Sequence, residues 1–228
     1  MKFVGKAILL NRINYSESSL IITYYTQQNG IQKYLFQGGK KKATNLFPLA
    51  LTEITYYTRN DSYLGKITAS ETSTLLSEIP FDPVKSTIAF FIAEILHKCL
   101  QTEENEPLLF EFLTQSICEL DKSDDVSIFP VKFLLDFSEY LGIKPHVIGE
   151  NPTIFNLMEG TISNQKHEGD IYASGDVVKF IINCINKDEK IDKPFRKEAL
   201  NVLIQYFQLH IPQFKTLKTL DVIKEVLY

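Results

Sequence analysis

Lys40, Lys41 and Lys42 stand directly behind Gly38 and Gly39, at the end of the strand-like run Ile31-Gln32-Lys33-Tyr34-Leu35-Phe36. Three ammonium groups in succession can neutralise phosphate, and a polyanion is their natural partner. Basic and aromatic residues interleave on both sides of the turn: Lys33 with Tyr34 and Phe36 before it, Tyr56 and Tyr57 with Arg59 after it. An aromatic ring stacks on any base, at about 1–3 kcal/mol per base, while cations track the phosphates. Residues of these types suit the holding of single-stranded nucleic acid. Alternation also puts Tyr34 and Phe36 on one face of their strand, and in a small barrel that face can be core. Lys40 to Lys42 can equally be a solubilising turn. At the level of these residues both readings stay open.

Bond-making chemistry finds no foothold. No Gly-x-x-x-x-Gly-Lys-Ser/Thr segment occurs, and no Gly-x-Gly-x-x-Gly follows a strand-like run. Gly38-Gly39-Lys40 lacks the outer glycine and the following helix start of a phosphate cradle. His97, His146, His167 and His210 are scattered, without a His-Glu-x-x-His pair, and no serine sits in a Gly-x-Ser-x-Gly turn. Glu103-Glu104 and Asp124-Asp125 are neighbours in polar connections, not carboxylates set to flank a bond. The sequence predicts no catalytic residue, no enzyme activity and no cofactor.

The elements that must position the basic turn follow from composition and periodicity. With 228 residues, 44% of them hydrophobic, the chain can bury one large core or two modest ones. Its longest apolar stretch, Ile88 to Leu96, is broken by Glu94. It falls short of the roughly 20 apolar residues of a membrane span. Near the start, only Ala7 to Leu10 is apolar before Asn11 and Arg12, so no signal peptide is predicted. Cys99, Cys118 and Cys184 are widely spaced in apolar helical patterns, as reduced thiols of a soluble cytoplasmic protein would be. Charge divides the chain: residues 1–80 hold nine Lys or Arg against five Asp or Glu, a net of +4. Residues 81–228 hold fifteen against twenty-three, a net of −8.

The pattern changes near residue 80. Before it, five runs read as strands: Val4–Ile13, Ser19–Thr26, Ile31–Gln37, Leu49–Thr58 and Tyr63–Ala69. Gln27-Gln28-Asn29-Gly30 and Arg59-Asn60-Asp61-Ser62 supply turns. Closing five short strands removes exposed edges, and the OB-fold is the commonest such solution, with an SH3-like barrel as its rival. After Pro80 the period is helical: Ile88, Phe91, Ile92, Ile95, Leu96 and Cys99 share one face, and Leu109, Phe112, Leu113, Ile117 and Leu120 another. A third helix runs from near Pro130 to Gly142, a fourth covers Asp176–Ile185, and stripes follow at Leu200–Phe207 and Leu217–Leu227. The prediction is an α+β chain: a five-stranded OB-fold β-barrel over 1–80, then an α-helical domain over 81–228. A loop or small hairpin insert interrupts the latter at about 144–174.

In order along the chain, several segments resemble the RecO family of bacterial recombination mediators. They are Ala7-Ile8-Leu9-Leu10, Tyr15 through Ile21, Thr26 through Gly30, Gly38-Gly39-Lys40-Lys41-Lys42, and Phe47-Pro48-Leu49. Tyr140-Leu141-Gly142-Ile143-Lys144-Pro145 and Phe155-Asn156-Leu157-Met158-Glu159-Gly160 follow. No single motif is strict, and the specificity lies in their order.

The resemblance implies an OB-fold joined to a helical domain, acting in DNA repair and recombination in the bacterial cytosol. It implies annealing of single-stranded DNA, with double-stranded DNA as a further ligand, and loading of RecA onto coated strands together with RecR. The nucleic-acid contacts would come from Arg12, Lys33, Tyr34, Lys40, Lys41, Lys42, Tyr57 and Arg59. The C-terminal tail of the single-strand-binding protein would be a second partner, with Lys85, Lys98, Lys132, Arg196 and Lys197 as candidate rim charges. Many family members hold zinc with four cysteines in the insert, but residues 144–174 contain none, so no metal is expected. The insert would instead be held by Ile148, Ile154, Phe155, Leu157, Ile162 and Ile171. Two readings outside this family fit the same residues: an RNA-binding OB-fold protein, and a helical protein-interaction scaffold that binds no nucleic acid.

Overall fold

A thirteen-residue strand, β1 (Lys2–Asn14), bonds on both edges. Lys2 to Ile8 pair with β4 (Leu51–Tyr57), and Ala7 to Asn14 pair with β2 (Leu20–Thr26), with a bulge between Leu9 and Asn11. The computed structural model describes residues 2–42, 46–58, 64–100, 106–187 and 194–228. β2 turns through Gln27–Asn29 into β3 (Gly30–Phe36), with the Thr26 hydroxyl donating to the Gly30 carbonyl at 2.9 Å. β5 (Gly65–Thr72) pairs with β4 and closes the ring by a parallel join to β3. The closed order β1-β2-β3-β5-β4 is that of the predicted OB-fold, not of an SH3-like barrel. Arg59 to Tyr63, which include the second expected turn, lie outside the described residues.

The closing join is only three residue pairs long and depends on a missing side chain. Gly65 sits opposite Tyr34, and a Cβ on it would lie 2.5 Å from a carbon of the Tyr34 ring. That ring fills the barrel with those of Tyr24 and Tyr56, edge to face at centroid distances of 6.2 and 5.0 Å. Ala7, Leu9, Ile22, Ile54 and Ile67 complete the interior. Outside, α2 (Pro83–Cys99) packs on β1, and Phe110 of α3 (Pro107–Lys122) stacks on Tyr25 at 6.0 Å. Ala7 to Leu10 and Ile22 to Thr26 are therefore buried on both faces, which explains why these runs do not alternate.

A buried carboxylate fastens the connection from barrel to helices. Asp121, 4% exposed, accepts the N–H groups of Ser77, Glu78 and Ile79 at 2.8–2.9 Å and the Ser77 hydroxyl at 3.3 Å. Its own carbonyl, in the last turn of α3, accepts from Lys85 Nζ at 2.8 Å. That places a cation at the negative end of the helix dipole. α2 itself starts on Asp82, whose carboxylate accepts from the N–H groups of Val84 and Lys85.

The chain divides into two compact units, Met1–Ser123 with Leu217–Val226, and Asp124–Thr216 with Leu227–Tyr228. In the second, α4 (Phe129–Tyr140), α5 (Asp176–Asn186) and α6 (Arg196–His210) pack around Phe133, Phe137 and Phe207. The insert is a four-stranded sheet of β6 (His146–Val147), β7 (Ile154–Asn156), β8 (Thr161–Ser163) and β9 (Tyr172–Ser174), in the order β6-β8-β7-β9. It exceeds the loop or hairpin expected, because strands of two or three residues carry no readable period. Asn156 closes its central turn by accepting from the N–H groups of Met158 and Glu159 while donating to Asp170. Gly160, at φ +71°, passes under the Tyr206 hydroxyl, which donates to the Ile143 carbonyl at 2.7 Å. Phe155, Leu157 and Ile162 are buried as expected, but Ile148 and Ile171 face outward, 55% and 37% exposed. Residues 144–174 contain no cysteine, and among the described residues no group of three or more His, Cys, Asp or Glu side chains is placed to hold a metal ion. α7 (Leu220–Leu227) ends the described elements.

Gly65→Ala should cost the barrel about 1–3 kcal/mol through overpacking against Tyr34, read as a lower urea midpoint. Asp121→Asn should cost a similar amount by leaving buried N–H groups unpaired. Burial raises the Asp121 pKa, but its four hydrogen bonds outweigh burial and hold it below the usual 3.8. Its stabilisation is therefore complete above that value and lost as pH falls through the lowered one. The stability gap between wild type and Asp121→Asn should be full at pH 7 and close below pH 3.8.

Candidate nucleic-acid interface

After β3 the chain turns at Gly38, φ +70°, and enters α1 (Gly39–Lys42), a single helical turn where the sequence predicts a loop without a helix start. Gly39 lies against the Phe36 ring, and the Lys40 N–H donates to the Ser18 carbonyl at 3.3 Å. The first contact seats the turn on β3, the second ties it to the β1–β2 connection, and Lys40 and Lys41 are left exposed. The side chain of Lys42 and all of Arg59 lie outside the described residues. Lys40 shares an open concavity of about 310 Å³ with Arg12, Asn14 and Leu20, and no carboxylate among the described residues lines it. Among the described residues, none of Arg12, Lys33, Lys40 and Lys41 is in an ion pair. Lys33 is exposed on β3, opposite Thr23, which in turn lies opposite Asn11 on β1.

The two tyrosines separate. Tyr34 is 1% exposed inside the barrel, so the expectation that it stacks on a base is corrected: its ring is core. Tyr57 is 44% exposed and lies directly opposite both Lys2 on β1 and Lys66 on β5. This row of cation, ring and cation on the outside of the barrel is hidden in the sequence because its members come from three strands.

Two of the predicted rim charges are engaged within the fold. Lys85 is buried and spent on the Asp121 carbonyl, which corrects its assignment to a rim. Arg196 donates to the Leu227 carbonyl at 3.2 Å and lies 5.4 Å from the centre of the Tyr228 ring. Lys132 is half-buried and Lys197 exposed, both in the second unit.

Lys98 lies in the first unit, on a groove of about 560 Å³ between β1 and α2 that also takes in Arg12, Phe90, His97 and Lys218. Among the described residues its one carboxylate, Glu94, accepts the N–H groups of Lys218 and Thr219 at 3.0 and 2.9 Å and the Thr219 hydroxyl at 2.8 Å. Burial raises the Glu94 pKa, but these bonds and the Lys98 charge outweigh it and hold the carboxyl below its usual value. The charge that interrupts the apolar stretch Ile88–Leu96 thus has a structural task, the fastening of α7. Burial, followed by the charges of Lys33 and Lys98, lowers the pKa of His97. Its imidazole is neutral near pH 7.

The family model described as Recombination protein O N terminal matches residues 1–75, and the one described as Recombination protein O C terminal matches 80–220. The chain is 30% identical to the DNA repair protein RecO of Flavobacterium psychrophilum, with 99% of each chain covered. It is 31% identical to that of Bacteroides fragilis, covering 99% of this chain and 98% of the relative. To the RecO protein of Porphyromonas gingivalis it is 26% identical over 98% of each. With its OB-fold barrel, its helical continuation and these matches along its length, the chain belongs to the RecO family of DNA repair proteins.

Proposed function

We propose that this chain binds and anneals single-stranded DNA and, together with RecR, helps load RecA onto strands coated with single-strand-binding protein. The observation that carries this reading is the meeting of Lys40 and Arg12 in one concavity on the outside of the barrel that no carboxylate among the described residues lines. Membership of a DNA repair family supports it. Two single strands repel each other through their phosphates, and cations that neutralise one strand lower the cost of bringing up the second. A surface that grips phosphate and leaves base edges outward therefore favours pairing. The task is binding, without bond cleavage, and its place is the bacterial cytosol.

In this reading the basic face of residues 1–80 carries the main nucleic-acid surface, and the acidic residues 81–228 chiefly meet proteins. The net charge of −8 over residues 81–228 disfavours DNA in general, so RecR and the acidic tail of the single-strand-binding protein are assigned chiefly to that part, with Lys132 and Lys197 as candidate rim charges.

The chain should speed annealing of complementary strands precoated with single-strand-binding protein, followed by a fluorescence-quenching assay; no acceleration would remove the reading. Replacing Arg12, Lys40 and Lys41 together by alanine should weaken binding to every DNA sequence. It should also reduce the salt slope of log affinity by about 0.7 for each phosphate that is no longer neutralised. An unchanged slope would take this surface out of the mechanism, and strong preference for a matched RNA strand would move the reading to RNA.

A further inference from the structure

Phe90 is a large apolar residue that α2 leaves in water: it is 53% exposed, although the same helix buries Ile88, Phe91, Ile92, Ile95 and Leu96. It borders the groove between β1 and α2, whose apolar part includes Leu10 and Ala93, and around it stand Arg12, Lys98 and Lys218. Among the described residues three permanent cations and one carboxylate line it, and both oxygens of that carboxylate, on Glu94, are already engaged by the N–H groups of Lys218 and Thr219 and by the Thr219 hydroxyl.

We propose that this groove is a nucleotide subsite, in which the Phe90 ring stacks on a base of a single strand while Arg12, Lys98 and Lys218 hold the adjoining phosphates. The inference rests on the single-strand reading above and deepens it by naming where a base is held. Arg12 lines both this groove and the concavity that contains Lys40. A strand lying across Lys40 can thus enter the groove without leaving the cationic surface. Stacking supplies sequence-tolerant affinity, as an annealing protein requires, and the cations make that affinity salt-dependent. An acidic peptide ending in an aromatic residue would meet the same chemistry, but the shared Arg12 favours a ligand that extends over both places.

The test compares a single-stranded oligothymidylate with an abasic strand of equal length and charge, in titrations of the full chain by fluorescence anisotropy. Wild type should prefer the base-bearing strand, and Phe90→Ala should lower affinity for it by at least about 5-fold, removing that preference without changing the salt slope. Phe90→Tyr should restore it. Lys98→Ala should lower the salt slope while keeping the preference for bases. Unchanged urea midpoints would show that the variants fold. Retention of the base preference by Phe90→Ala overturns the subsite alone. Displacement of the oligothymidylate from the groove by an acidic peptide ending in phenylalanine, in wild type but not Phe90→Ala, assigns the groove to a protein and also overturns it. Failure of wild type to bind either strand overturns the single-strand reading on which the subsite rests.

Discussion

Closure of the barrel is the constraint on which the first compact unit depends. Five strands of this length must bury three tyrosine rings, and the ring of Tyr34 is admitted only because Gly65 opposite it carries no side chain. Once Tyr24, Tyr34 and Tyr56 are committed to the interior, the barrel has no aromatic face left within that set. Whatever it offers to a ligand must come from outward positions. Those are Arg12, Lys33, Lys40, Lys41 and the row Lys2, Tyr57, Lys66, all on strands or a turn whose register is set by the same closed ladder.

The helices alter the barrel's outer surface as much as its stability. By covering Ile8, Leu10 and Tyr25, α2 and α3 take an apolar part of the outside away from water. Where α2 leaves β1 the cover is incomplete, and the exposed Phe90 sits among cations there. The ionic groups nearby have structural duties. Asp121 and Lys85 bind the connecting segment and a helix end, and Glu94 binds the start of α7. Charged residues in an apolar context are thus latches here, and the available charges lie on exposed turns and strand faces.

Local pattern makes much of this legible. Strands such as β2 and β3, and helices with clean stripes such as α2 and α4, are readable because each has enough residues to show its period. Lys40 and Lys41 are readable as exposed cations because glycines and a lysine run leave little choice. Tyr34 is not, since alternation gives two faces and does not say which is inside. Lys85 looks like any surface lysine until α3 brings a carbonyl to it. The insert's sheet is built of strands too short to register, and Phe90, which falls off the apolar stripe of its helix, gives no sign in the sequence of the cations Arg12 and Lys218 that the fold brings beside it. What escapes the sequence is in each case a matter of tertiary neighbours.

Residues 217–226 belong to the first compact unit and are fixed there by a carboxylate on α2, yet the body of the second unit, 124–216, intervenes in the chain. A protein made from its N-terminus on the ribosome folds its early units first. Here the early unit waits with an unfilled acceptor on α2 until after the second unit's main body has been translated. Its completion is therefore ordered in time by chain synthesis, and a message cut short before residue 217 yields a barrel whose helical cover lacks its final piece.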